Sequence, residues 1–175
     1  IRPRFAPTPS NFRLAPDGKT LALHDGTIRL FETDSGKLIH DFGRQTAGDT
    51  RTDFRFSPDG QYMICYSGFD HLVVDLANKQ IANRFVYNGY ACGSDWSSDG
   101  SLVAMVDDFE TVVLRDAKSF REVARLRTPN TNGIQDIRFC PLGTSLYATI
   151  ANNQVHRWDL DAIRTELGRL GLDWQ

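Results

Sequence analysis

Four histidines (His24, His40, His71, His156), three cysteines (Cys65, Cys92, Cys140) and one adjacent acid pair (Asp107, Asp108) are the side chains suited to metal binding, nucleophilic attack or proton transfer. Their spacing does not assemble them. No histidine stands at ligand spacing from a second His or a Cys, and no cysteine belongs to a CxxC. No GxSxG elbow, HExxH, P-loop or helix-opening GxGxxG occurs. The acid pair falls in a predicted turn, where Asp acts as a turn former through its side-chain oxygen rather than as a calcium ligand. The sequence therefore predicts no catalytic residue, no metal site and no cofactor, so the expected protein is not an enzyme. A fold alone does not exclude activity.

One polar pattern does recur. Arg13, Arg55, Asp95 and Arg138 stand at equivalent places, and two residues before each stand Asn11, Asp53, Gly93 and Asp136. Residues two apart share a strand face. Asp53/Arg55 and Asp136/Arg138 are thus placed to pair with each other or with the neighbouring repeat. Two roles follow, a structural ion-pair system or a ligand site.

These positions are set by a repeat. Pro16-Asp-Gly18, Pro58-Asp-Gly60, Ser98-Asp-Gly100 and Pro141-Leu-Gly143 place their glycines 42, 40 and 43 residues apart. Three residues before Asp17, Asp59, Asp99 and Leu142 stand Leu14, Phe56, Trp96 and Phe139, with Phe12, Phe54, Ser94 and Ile137 two residues earlier. Such alternation marks a strand entering a tight turn, with Pro presetting φ and Gly taking the left-handed position. A nearly all-apolar strand follows at 20–23, 62–66, 102–106 and 146–150, which predicts burial on both faces. A second turn leads to a third strand at 27–31, 72–75, 111–115 and 154–159. A fourth strand closes three units, at 37–42, 80–85 and 122–127.

Four strands per unit at this period is the arithmetic of a β-propeller blade. The string Phe54-Arg-Phe-Ser-Pro-Asp-Gly60 and the ending Val155-His-Arg-Trp-Asp-Leu160 together resemble WD40 repeats over residues 10–160. The tail 159–174 looks like the C-terminal end of bacterial multi-repeat WD40 proteins, some of which carry a kinase domain upstream. The resemblance implies an all-β fold of four four-stranded antiparallel WD40-like blades with a short C-terminal α-helix. The blades are expected at about 10–43, 52–86, 92–128 and 135–160, within one complete or partial propeller over 1–175. The repeat positions that carry the likeness are Asp59, Gly60, Trp96, Asp99, Gly100, Trp158 and Asp159. Family blades often add a Gly-His joined by hydrogen bonds to a Ser/Thr and the Trp. None of the four histidines takes that place here, and Phe31, Val74 and Arg115 stand where the Trp would. Apolar packing between blades is therefore expected to carry more of the stability, and the Asp/Arg pattern falls near the axis of such a ring.

After Trp158-Asp159 the period changes. Leu160, Ile163, Leu167, Leu170 and Trp174 form an apolar stripe on a helix over 160–171, capped by Asp159 or Asp161 and ended by Gly171. That helix is expected either on the last blade or on a partner. The last blade lacks a fourth strand of its own, which residues 1–5 have the length to supply. Four blades are few for such a ring, so missing blades or self-association are expected to complete it.

Composition limits the partners. Net charge is −2 with 24% charged residues, without the basic excess of a general nucleic-acid binder. The longest apolar runs hold five residues, against roughly 20 for a membrane-crossing helix. Three cysteines cannot all pair, which predicts free, mostly buried thiols and a cytoplasmic location, with secretion left open because the chain starts at Ile1. Phe69, Tyr87, Tyr90 and Phe109 occupy loop positions on adjacent repeats, either as an anchor patch for a protein partner or as caps on the ends of the core. The expected function is a non-enzymatic WD40-repeat scaffold, the C-terminal regulatory or sensor part of a larger signalling protein. The alternative is a propeller-containing enzyme or ligand-binding module of hydrolase or peptidase class, with its catalytic segment outside this chain.

Overall fold

The turns at Pro16-Asp-Gly18, Pro58-Asp-Gly60, Ser98-Asp-Gly100 and Pro141-Leu-Gly143 join the first two strands of each sheet, and a computed structural model shows how. It describes residues 11–24, 27–44, 53–67, 70–86, 93–129, 132–151 and 153–172. The expected strand at 1–5 lies outside them. In the second repeat, Ser57 Oγ donates to Asp59 Oδ1 at 2.6 Å and accepts from the Tyr62 amide at 2.9 Å. Asp59 Oδ1 also accepts from the Gln61 amide at 2.9 Å. Gly60, at φ 70°, turns the chain so that its amide reaches Ser57 O at 2.9 Å. Ser97, Asp99 and Gly100 repeat this arrangement, with Ser97 Oγ accepting from the Leu102 amide at 2.9 Å. The first repeat has Ala15 in place of the serine and keeps the glycine turn, Gly18 N to Ala15 O at 2.9 Å, and the Asp contact, Lys19 N to Asp17 Oδ1 at 2.8 Å, but not the hydroxyl links.

Contacts along the chain form two compact units, Ile1–Val86 and Tyr87–Gln175. In the first unit, sheet 1 consists of β1 (Asn11–Leu14), β2 (Thr20–His24), β3 (Ile28–Glu32) and β4 (Leu38–Asp41). Sheet 2 consists of β5 (Phe54–Phe56), β6 (Tyr62–Ser67), β7 (Asp70–Asp75) and β8 (Gln80–Val86). Both are antiparallel meanders with strands in sequence order. One face of sheet 1, with Ala22, Ile28 and Leu30, packs on the Phe54, Met63, Cys65, Leu72 and Val74 face of sheet 2 in a single buried cluster. At roughly 1.5–3 kcal/mol per fully buried apolar side chain, this contact is the main stabilising feature of the unit.

The second unit holds sheet 3, with β9 (Ser94–Trp96), β10 (Leu102–Val106), β11 (Thr111–Asp116) and β12 (Glu122–Arg127). Sheet 4 has three strands among the described residues, β13 (Ile134–Phe139), β14 (Ser145–Ile150) and β15 (Gln154–Asp159), followed by helix α1 (Leu160–Arg169). Gly93, which breaks the Asp pattern of its equivalents, is explained here. A Cβ at 93 would sit 3.0 Å from Ile137 N and 3.2 Å from Asp136 Cα, so a side chain would push sheet 4 away. Helix α1 packs on β14 and β15. Asp159 caps it by accepting from Ala162 N at 3.0 Å, and Gly171 at φ 70° follows its end. Leu160 is buried, but Leu170 is the C-cap and is exposed, so the apolar stripe stops short of its expected length.

Burial on both faces holds for β6, β10 and the Ala22–His24 end of β2, but not for β14. In β14, Tyr147 and Thr149 are exposed while Leu146, Ala148 and Ile150 are buried. On sheet 1, Phe12 is 60% and Leu14 54% exposed. An apolar strand reports that it is suited to two neighbours, not that both are present.

Candidate functional site

The Asp/Arg pattern folds into ion pairs. In the first unit, Asp53 receives Arg55 at 2.6 Å from its own sheet and Arg13 at 3.2 Å from sheet 1. In the second, Arg138 meets Asp136 at 2.5 Å, and Asp95 accepts from the Phe139 amide of sheet 4 at 2.8 Å. Both alternatives expected from the sequence, pairing within a repeat and between repeats, thus occur around one carboxylate. Salt bridges with this much exposure contribute about 0–1 kcal/mol each and serve chiefly to fix register.

The turn between β10 and β11 is a candidate loop position that falls among the described residues. Phe109 sits at its tip, 41% exposed. Asp108 Oδ1 accepts from the Glu110 and Thr111 amides, each at 2.8 Å, which confirms a turn-forming role for this acid. The backbone on both sides of the ring is tied to the connector that leads into sheet 4. Phe109 O accepts from Ile134 N at 2.9 Å, and Glu110 O accepts from Thr128 N at 2.8 Å. Arg127 adds an ion pair to Glu110 at 2.5 Å. Gly133 is required at this point: its φ is 91°, and a Cβ would lie 3.2 Å from the Phe109 ring. Thr128, Gly133 and Ile134 escaped the sequence reading because a connector between repeats carries no periodicity. The glycine alone hinted at a close approach.

Phe69, Tyr87 and Tyr90 lie outside the described residues, so only Phe109 of the four aromatic candidates is placed. Trp96 is buried edge-on against Phe120, ring centroids 6.2 Å apart. Trp158 is buried beside His156, and its indole N–H donates to Arg127 O at 3.4 Å. Both tryptophans are core residues. The histidine–tryptophan contact is a local stacking and does not rebuild the Gly-His network of the WD40 pattern.

Chemically reactive groups stay dispersed. Among the described residues no group of three His, Cys, Asp or Glu side chains could hold a metal ion. Cys65 is a free thiol that burial pushes well above its ordinary pKa, which makes it a poor nucleophile. Cys140 is only partly buried, against the expectation of a core thiol. It stands in the turn where Ser57 and Ser97 stand in sheets 2 and 3, and its contact with Thr144 lowers its pKa. No described helix is long and apolar enough to cross a membrane.

Antiparallel sheets of one strand order, each opened by the same turn, define a protein of β-propeller blades. No family model matches the chain. The chain is similar to the WD repeat-containing protein AAC3 of Dictyostelium discoideum, 28% identical over an alignment of 143 residues that covers 78% of this chain and 29% of that protein. Among solved structures it superposes on Kuenenia stuttgartiensis hydrazine synthase with a TM-score of 0.73 and 17% identity, over 93% of this chain and 50% of the other. At that identity the second likeness shows the fold alone. The first supports a repeat of WD40 type. The chain spans under a third of its curated relative and half of its structural one.

Proposed function

We propose that this chain is a non-enzymatic WD40-type interaction module, acting as the C-terminal regulatory or sensor part of a larger cytoplasmic signalling protein of bacterial type. The Phe109 loop is its contact point for a protein partner, and Phe69, Tyr87 and Tyr90, by their loop positions in the repeat, are further partner-binding candidates. The observation that carries this reading is an exposed phenylalanine at the tip of a loop whose backbone is hydrogen-bonded on both sides. A fixed loop loses little conformational entropy on binding, and aromatic side chains dominate interface hot spots. The WD repeat relative supports the same class.

Capture of partners from native lysate by the chain and by Phe109→Ala tests the reading. The expected result is a lost partner with an unchanged melting temperature. A lowered melting temperature with capture intact would make Phe109 a cap on the core.

A further inference from the structure

The glycine that seats the Phe109 ring also sets up a reaction with the residue before it. The φ of 91° at Gly133, and the 3.2 Å that a Cβ there would leave to the ring, hold glycine at this position. The residue before it is Asn132. Asn11, Asn78, Asn83 and Asn153, the other asparagines among the described residues, are each followed by a residue with a Cβ. An asparagine side-chain carbonyl is open to attack by the main-chain nitrogen of the next residue, and a Cβ on that residue hinders the approach. Glycine has none. Asn132 is exposed, so water reaches its side-chain amide. Thr128 N is engaged by Glu110 O and Ile134 N by Phe109 O, whereas the Gly133 amide donates to no carbonyl among the described residues. An amide proton outside the hydrogen-bond ladder is the one that base removes most easily.

We propose that Asn132–Gly133 is a self-modification site, with water as the co-reactant. The Gly133 nitrogen, after giving its proton to hydroxide, attacks Asn132 Cγ. The N–Cγ bond forms, the Cγ–Nδ2 bond breaks, and Nδ2 leaves as ammonia with a proton taken from water. The resulting cyclic imide takes up one water. Opening at Cγ gives aspartate, and opening at the main-chain carbonyl gives isoaspartate, whose backbone runs through Cβ and is one atom longer. Nothing is oxidised or reduced, and either product adds one negative charge. The structural consequence falls on the Phe109 loop. Gly133 lies against the Phe109 ring, Ile134 N donates to Phe109 O at 2.9 Å, and Ala151 N donates to Gly133 O at 3.0 Å. An extra main-chain atom immediately before Gly133 does not let all of these contacts keep their spacing. Isoaspartate at 132 therefore loosens the hold on Phe109. The change runs one way, accumulates with the age of the chain, and does not depend on what Phe109 binds.

Incubation of the full chain at physiological temperature and pH, followed by tryptic mass spectrometry, tests the proposal. The peptide 128–138 is expected to gain about one dalton at Asn132, with isoaspartate identified by electron-transfer fragmentation. The rate in the folded chain is expected to lie within about tenfold of the rate in the free peptide of the same residues. Site-resolved hydrogen exchange of the aged chain should show the Ile134 and Ala151 amides exchanging about tenfold faster or more, with Val113 in β11 unchanged. Freshly prepared Asn132→Asp, which brings the charge without the extra atom, keeps these amides slow, and Asn132→Gln ages without loosening. A folded-chain rate more than about tenfold below that of the peptide overturns the proposal. So does isoaspartate that forms at 132 and leaves Ile134 and Ala151 exchange unchanged.

Discussion

Sheets 1 and 2 share their strand order, their register and their Pro-Asp-Gly turn, yet Phe54 and Met63 of sheet 2 are fully buried where Phe12 and Leu21 of sheet 1 are exposed and half-buried. The turn differs as well. Ser57 links Asp59 to the Tyr62 amide, whereas Ala15 links nothing, and Asp17 is left with one backbone contact. One repeat thus exists in a fully supported form and in a form that lacks the hydroxyl and leaves Phe12 and Leu14 exposed. What the repeat needs for stability is visible in that difference.

Substitutions at matched positions can break the comparison. Phe54 is fully buried and Phe12 largely exposed at the same register. Phe54→Ala should cost about 3–5 kcal/mol and Phe12→Ala under about 1 kcal/mol, read by urea unfolding. Equal costs would mean that the two faces are not differently covered. Ser57→Ala strands the Tyr62 amide and should cost about 1–3 kcal/mol. The reverse exchange, Ala15→Ser, offers a hydroxyl to the Thr20 amide and to Asp17, and should raise stability by about 0.5–1.5 kcal/mol. A smaller, pH-dependent effect comes from sheet 3. Hydrogen bonds from the Ser97 hydroxyl, then from the Ser101 amide, hold Asp99 below the usual carboxylate range. Its folded pKa is depressed, so its contribution is present above the unfolded carboxylate value and is lost as pH falls through the folded one. Acid titration of thermal stability should therefore show a shallower decline in Asp99→Asn than in the parent chain.

The repeat was legible because turns need particular residues. Gly60 and Gly100 take the left-handed position, Asp59 and Asp99 accept from amides two residues on, and these requirements stay local in sequence. The Asp53–Arg55 pairing was legible for the same reason, since strand geometry alone puts both on one face. Burial was only half legible. Residues 146–150 read as apolar on both faces, but the neighbour that would cover Tyr147 is not a property of the strand. Free, mostly buried thiols were legible for Cys65, which lies inside an apolar strand, whereas Cys140 is half-buried because it occupies the turn position of Ser57. The hold on Phe109 was not legible, because it depends on amides at 128 and 134 meeting carbonyls at 110 and 109, a relation that follows from sheet 4 lying against sheet 3.

Peptide-resolved hydrogen exchange at dilution tests the central claim most directly, that register-equivalent sheets differ by what covers them. Strands β2 and β6 are both interior strands, paired on two sides. Their ladders are alike, and the depth of their burial differs. The account predicts slower exchange for β6 than for β2, because Met63–Tyr66 of β6 are all buried whereas Thr20 and Leu21 of β2 are only half-buried. Protection of β2 equal to or greater than that of β6 would contradict it.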